Sequence, residues 1–333
     1  MRLVFAGTPD VAVPSLGVLA AEGHDIVGVV TRPDAPQGRS RTLTPSPVAV
    51  AAAAEGMRVI RAARLDDAVT AEIRALEPEL GVIVAYGGLV REPLLSVPTH
   101  GWINLHFSLL PRWRGAAPVQ HALIAGDETT GASVFQLVAE LDAGDVFAER
   151  AYSVPGDATA GEVLSDLAGL GAELLRDVVA GIESGRLTAT PQVGDPTFAP
   201  KLTLDDGRIR WEEPAPRVLG RIHGTTPEPG AHTLVNGQRL KVLAARSHGA
   251  RIGLRAGEIA AAGRDILIGT GTEAIVIDRV QPAGRQAMAA GDWWRGLRTP
   301  ELRAGWLLYT SDAADDLLWV GLGGCRMLKK IKI

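Results

Sequence analysis

The sequence predicts an α/β protein in two parts: a mostly parallel, helix-covered sheet followed by a smaller β-barrel. Three observations carry that reading. The 333 residues, 46% of them apolar, exceed one average domain of ~100–200 residues and suffice for two cores. Runs rich in Val and Ile alternate with helical periods through the first half. Beyond a proline-containing stretch at 185–205 the period changes to that of hairpins, and the charge reverses, from net −10 over residues 1–205 to net +5 over 206–310.

Residues 3–6 and 26–31 read as the first strands, and 82–85 and 101–106 as the next; strands rich in Val and Ile on both faces are those of a buried parallel sheet. Helical segments at 16–21, 48–55 and 67–76 separate them. Residues 130–137 and 146–153 are two further runs, with a Gly-Asp pair between them, that predict an addition at the sheet edge. A long amphipathic helix is expected from Thr159 to residue 182, with apolar positions at 163, 164, 167, 170, 174, 175, 178 and 179. After the connector, residues 233–235, Asn236-Gly237 and 238–245 form a strong hairpin signal, and 265–269 and 274–280 are further strands. The expected division is a first domain over 1–189, a linker over 190–205, an all-β basic domain over 206–310, and an unassigned tail over 311–333.

Composition excludes several classes. A single cysteine, Cys325, precludes an internal disulfide framework and fits a reducing compartment. No secretory leader and no run of ~18 apolar residues is present, so a cytoplasmic protein without a membrane span is expected. Gly7-Thr8-Pro9 follows the first strand where a dinucleotide fold carries G-x-G-x-x-G, but the later glycines are missing. The seven histidines form no metal-ligand spacing, so no metal is expected.

The chemistry concentrates in GWINLHFSLLPRWRGAAPVQHAL, residues 101–123. Alternation along the strand sends Asn104 and His106 to one face and Ile103 and Leu105 into the sheet packing. Polar groups at the carboxyl end of a buried parallel strand sit where open α/β sheets place ligands. Asp142, in Glu140-Leu141-Asp142-Ala143-Gly144-Asp145, lies between two strands; near His106 it would hold the ring in one tautomer and raise its pKa. The residues alone also allow a satisfied structural Asn–His pair, and a turn or helix-cap carboxylate at Asp142. Residues 31–47 hold Arg32, Arg39, Arg41, four prolines and Gly38, which reads as a positively charged arm that is neither strand nor helix.

Asn104-x-His106, then Ser108-Leu109-Leu110-Pro111-Arg112-Trp113-Arg114-Gly115, then Leu141-Asp142-Ala143-Gly144-Asp145 resembles the signature of the folate-dependent formyltransferases. The opening VFAGTPDVAVPSL, the loop RPDAPQGRSRTLTPSPV, VIVAYGGLV, PEPGAHTLVNGQRLKV and VQPAGRQAM extend the likeness from residue 3 to about 296. The resemblance implies a Rossmann-like sheet (the formyltransferase fold) with an OB-like C-terminal barrel. It implies transfer of formyl from 10-formyltetrahydrofolate to the α-amine of initiator methionyl-tRNA, in a bacterial-type cytoplasm, by a monomer, through a tetrahedral intermediate stabilised by Asn104 and His106. By the same resemblance Asn104, His106 and Asp142 are catalytic. Ser108, Leu109, Leu110 and Pro111, with Tyr86, Gly87 and Gly88, bind the folate, and Arg39 and Arg41 bind the tRNA. A sugar-nucleotide amine is the alternative acceptor. A noncatalytic RNA-binding module is the alternative class, and it predicts loss of a member of the Asn–His–Asp set, which is intact.

Overall fold

The computed structural model describes residues 1–37, 41–249, 252–297 and 302–305. Its first part holds β1 (Arg2–Gly7), α1 (Val13–Ala21), β2 (Asp25–Thr31), β3 (Ala35–Gln37), β4 (Thr42–Thr44), α2 (Pro47–Ala54), β5 (Val59–Arg61), α3 (Asp67–Ala75), β6 (Leu80–Val84), β7 (Trp102–His106), α4 (Pro118–Ala125), β8 (Thr129–Gln136), β9 (Val146–Ser153) and α5 (Ala160–Glu183). Seven strands make one sheet in the order β5-β2-β1-β6-β7-β8-β9, parallel through β7 and antiparallel at β8 and β9. The edge addition expected at 130–153 is these last two strands.

The strand order reverses direction at β1, with β2 and β5 to one side and β6 and β7 to the other. Open α/β sheets open a crevice at the carboxyl ends beside such a reversal. Alternation divides each strand between two cores. Leu3, Phe5, Val82, Val84, Ile103 and Leu105 pack under α1, α2, α4 and α5, while Val4, Ala6, Ile83 and Trp102 pack with Ile73 of α3 on the opposite face. The long helix α5 begins at a capping box, Thr159 with Glu162, where the apolar period starts.

The arm departs from expectation. Residues 31–47 contain a two-stranded antiparallel ribbon, β3 with β4, pairing Ala35 with Thr44 and Pro36 with Leu43. A ribbon has two free edges, so a proline lacking an N–H is tolerated within it. The base of the arm is pinned where the Thr31 and Ser46 hydroxyls meet at 2.6 Å, and Ser46 also caps α2 through the Ala49 N–H at 3.0 Å.

The second part holds α6 (Ala215–Gly224), β10 (His232–Val235), β11 (Gln238–Ser247), β12 (Glu258–Ala262), β13 (Asp265–Gly269), β14 (Ala274–Pro282), β15 (Met288–Ala289), α7 (Ala290–Arg295) and β16 (Leu302–Arg303). The path β10-β11-β14-β13-β12-β16 returns on itself: Val235 bridges Ala304, and the Gly305 N–H donates to the Leu234 carbonyl at 3.0 Å. That closure makes the barrel, around a separate core of Trp211, Ile222, Val242, Ile275, Ile277 and Trp293. This part is not all-β, since α6 and α7 belong to its core. Two glycines weaken the helical propensity of α6, yet they serve its packing. A Cβ on Gly220 would lie 2.8 Å from the Leu123 carbonyl oxygen of α4, and one on Gly224 would lie 2.6 Å from that of Gln120. The barrel is thereby seated against the first part by backbone-close helix packing.

Residues 190–205 are no free tether. Thr190 pairs with Val146, and residues 197–199 run beside Arg114, whose N–H donates to the Thr197 carbonyl at 2.9 Å and whose carbonyl accepts from Ala199 at 2.8 Å. The tail over 311–333 lies outside the described residues. Among the described residues no helix is long and apolar enough to cross a membrane.

Candidate active site at the carboxyl end of the sheet

β7 ends the parallel set, and its last residues deliver the polar pair the alternation predicts. Trp102 fills the core on one face, and Asn104 and His106 follow it on that same face as the strand emerges from the sheet. Asn104 is half-buried, and among the described residues its side-chain amide makes no hydrogen bond with the protein. The amide's polar atoms keep access to solvent, so its donor and acceptor stay open to a ligand.

His106 is 6% exposed, and its Nε2 lies 2.9 Å from the Trp113 carbonyl oxygen. A carbonyl only accepts, so Nε2 carries hydrogen and the neutral ring presents a lone pair at Nδ1. Asp142 Oδ2 lies 3.8 Å from Nδ1, and it accepts the Gly115 N–H at 2.7 Å. Burial pushes the His106 pKa below the usual imidazole value, and the Asp142 charge pulls it back only in part. The sequence led us to expect that Asp142 fixes the tautomer and raises the pKa. The Trp113 carbonyl fixes the tautomer instead, and the net direction is down because the strand end is so deeply covered.

Trp113 is anchored to hold that carbonyl still. Its indole N–H donates to Asp127 at 2.8 Å, its backbone N–H donates to the Thr197 hydroxyl at 2.9 Å, and its ring stacks on His121. Arg112 crosses the indole and donates to both Asp127 carboxylate oxygens at 2.8 Å. Asp127, His121 and Thr197 carry no strand or helix period that would have singled them out.

Asp142 sits at φ 45°, and Gly144 two residues on is obligatory. A Cβ there would stand 1.7 Å from the Gln136 carbonyl oxygen. Gly144→Ala is therefore expected to displace the loop carrying Asp142. Turnover should fall about tenfold or more, with the far-ultraviolet circular dichroism retained. Normal turnover in that variant would show that the loop's position is immaterial.

Ser108, Leu109, Leu110 and Pro111 follow His106 directly. The Ser108 hydroxyl donates to the Arg112 carbonyl at 2.6 Å, and the Leu110 N–H donates to the Ser133 hydroxyl at 3.1 Å. Ser108, Leu110 and Pro111 are buried and Leu109 half-buried, so the segment forms a fixed wall beside the strand end. Tyr86, Gly87 and Gly88 follow β6, the neighbouring strand. The Tyr86 ring is buried, its hydroxyl donates to the Ala62 carbonyl at 3.1 Å, burial raises its pKa, and its carbonyl accepts the Thr8 hydroxyl at 3.2 Å. The phenol is committed to the core. What the loop can offer a ligand is its peptide groups, at the exposed, positive-φ positions Ala85 and Gly87. Thr8, after β1, ties the two sides of the crevice together.

Arg41 is exposed at the end of the arm's ribbon, and Arg39 lies outside the described residues. Among the described residues no cluster of three or more His, Cys, Asp or Glu is placed to hold a metal ion. The site therefore offers a free amide, a neutral buried imidazole with an open lone pair, a nearby carboxylate, and peptide edges on two sides. That set suits acyl transfer to an amine, with one donor for a developing oxyanion and one acceptor for a proton.

Comparison with known proteins gives the arrangement a family. Residues 1–179 match the family described as formyl transferase, and residues 201–298 match the formyl transferase C-terminal domain. The methionyl-tRNA formyltransferase of Leifsonia xyli subsp. xyli is 58% identical over 296 residues, covering 89% of this chain and 97% of that protein. The enzyme of the same name from Clavibacter sepedonicus is 56% identical, covering 91% of this chain and all of that one. Among solved structures, an N-formyltransferase from Helicobacter canadensis, in complex with folinic acid and dTDP-3-aminofucose, superposes with a TM-score of 0.66 at 15% identity, covering 83% of this chain and 99% of that one. At that identity the likeness is one of fold.

Proposed function

The chain belongs to the formyl transferase family, and from that membership we propose that it moves the formyl group of 10-formyltetrahydrofolate to the α-amine of L-methionyl-initiator tRNA. The products are N-formylmethionyl-tRNA and tetrahydrofolate. The observation that carries this reading is identity above 50% across nearly the whole length of relatives named methionyl-tRNA formyltransferase. The chain divides as residues 1–189 for catalysis, 190–205 as connector and 206–310 as the basic tRNA-binding barrel, with two separate cores in support.

In the proposed mechanism the amine attacks the formyl carbon in the crevice above β7. Asn104 donates its free N–H to the oxygen on which charge develops. His106 enters neutral and takes the amine's proton at Nδ1, and Asp142 stabilises the imidazolium so formed. That proton then passes to N10 of the departing tetrahydrofolate. Once protonated at Nδ1, His106 adds a second donor beside the oxyanion. Ser108, Leu109, Leu110, Pro111 and the peptide groups of Tyr86, Gly87 and Gly88 hold the folate co-substrate, whose ring edge needs donors and acceptors that peptide groups supply. Arg39 and Arg41 hold the acceptor end of the tRNA, and the barrel adds a salt-dependent grip on the backbone. The same family membership extends the proposal to a monomer acting in a bacterial cytoplasm.

The acceptor decides the reading. With radiolabelled 10-formyltetrahydrofolate, label should enter charged initiator tRNA and not a dTDP-amino sugar. Label entering the nucleotide sugar alone would select the alternative acceptor, and label in neither would leave the noncatalytic module.

A further inference from the structure

The connector places Gln192 against the catalytic loop with every polar atom of its side chain engaged. Its amide N–H2 donates to the Asp142 carbonyl and to the Gly144 carbonyl, both at 2.8 Å. Its Oε1 accepts from Arg114 Nη2 at 2.7 Å and from Arg114 Nε at 3.2 Å. Arg114 precedes Gly115, whose N–H holds the Asp142 carboxylate. The contacts close a ring: Gln192 to Arg114, along the chain to Gly115, across to the Asp142 side chain, and back through the Asp142 main chain to Gln192. Asp142 stands in a left-handed conformation at φ 45°, which a non-glycine residue adopts at a cost, so something must hold it there.

We infer that Gln192 is a positioning residue for formyl transfer: it brackets the Asp142 loop against the Arg114–Gly115 turn and so sets the distance between the Asp142 carboxylate and Nδ1 of His106. This rests on the site reading above. The requirement is specific to an amide, which alone among side chains of this length offers two donors and an acceptor at one end. A lysine or methionine would lose one side of the bracket or both. A glutamate would keep the Arg114 contacts but set a carboxylate oxygen against two carbonyl oxygens. The bracket also explains why residues 190–199 lie along the first part of the chain: the segment that leads to the barrel doubles as a brace for the site.

Gln192→Glu and Gln192→Met in the full chain test the inference, with wild type, Asp142→Asn and the double variants alongside. Each Gln192 substitution should lower kcat about 10- to 100-fold, leaving tetrahydrofolate binding and the KM for methionyl-tRNA unchanged. The acid limb of the rate profile should move to lower pH, because Asp142 is the charged group that raises the His106 pKa and would no longer be held beside it. In the Asp142→Asn background the Gln192 substitutions should cost nothing more, since they act through that carboxylate. The inference falls if kcat and the acid limb stay at wild-type values in both Gln192 variants. It also falls if only the melting temperature changes, which would make Gln192 a structural strap, or if the losses are equal with and without Asp142. Full turnover in Asp142→Asn alone would overturn the site reading and this inference with it, whereas a crippled Asp142→Asn enzyme beside normal Gln192 variants would overturn the inference alone.

Discussion

His106→Ala should lose at least about 10²–10³ in turnover, the loss typical of removing one preorganised oxyanion donor, while the protein remains folded. In the proposed mechanism the imidazole has two tasks, accepting the amine's proton at Nδ1 and stabilising the oxygen once protonated, so its removal should cost at least as much as that of Asn104. Asn104→Ala should fall in the same range, because the proposal makes its free amide the donor to the oxyanion. The Asn104→Ala and His106→Ala losses should not multiply in the double variant, since both groups serve one transition state. Near-wild-type turnover for a folded His106→Ala enzyme, measured at saturating folate and methionyl-tRNA, would move the chemistry elsewhere in the molecule.

Arg39→Ala should damage formylation of initiator methionyl-tRNA severely while leaving folate binding nearly intact. The proposal assigns the two substrates to different material: folate to residues 108–111 and the peptide groups after β6, tRNA to the arm. The first part of the chain is acidic, at net −10 over residues 1–205, so cationic groups near the crevice have to be supplied locally. Guanidinium groups fork onto phosphates and stack on bases, which suits them to a single-stranded 3′ end. The arm is anchored for such a task by the Thr31–Ser46 contact at its root and by the β3–β4 ribbon along its length. An unchanged kcat/KM for charged initiator tRNA in Arg39→Ala would reduce the arm to a surface loop.

Asn104 and His106 are legible in the sequence because a strand has a period of two, and a polar pair on one face of an apolar strand stands out against it. Asp142 needed the family likeness, since a carboxylate between two strands is equally a turn residue. The parallel strands β1, β2, β6 and β7 could be read in order because they are rich in apolar residues. The three-residue β5 and the alanine-rich β12 carry too little strand signal to be seen, and the two glycines of α6 disguise a helix that needs them to approach α4. The arm's ribbon was hidden by its prolines, which are harmless at a free edge. Gln192, Trp113 and Asp127 were out of reach for a different reason. Their roles are set by main-chain carbonyls and by partners 7 to 84 residues away, and no local period records such contacts. The direction of the His106 pKa was likewise not a matter of neighbours in the chain: the expected Asp142 is present, but the depth of burial outweighs it.

The proposed mechanism depends on a neutral, buried His106 that takes the amine's proton. The sharpest check is the single-turnover rate of that transfer from 10-formyltetrahydrofolate, followed by rapid quench across pH. The rate should be flat through neutral pH and fall on the acid side with an apparent pKa below the ordinary imidazole value of about 6.5, because the protonated ring has no lone pair left at Nδ1 to accept a proton. In Asp142→Asn the limb should lie lower still, since the carboxylate that favours the imidazolium is gone. A rate that rises as the pH falls through that range, or no transfer to methionyl-tRNA at any pH, would be incompatible with a neutral His106 acting as the base.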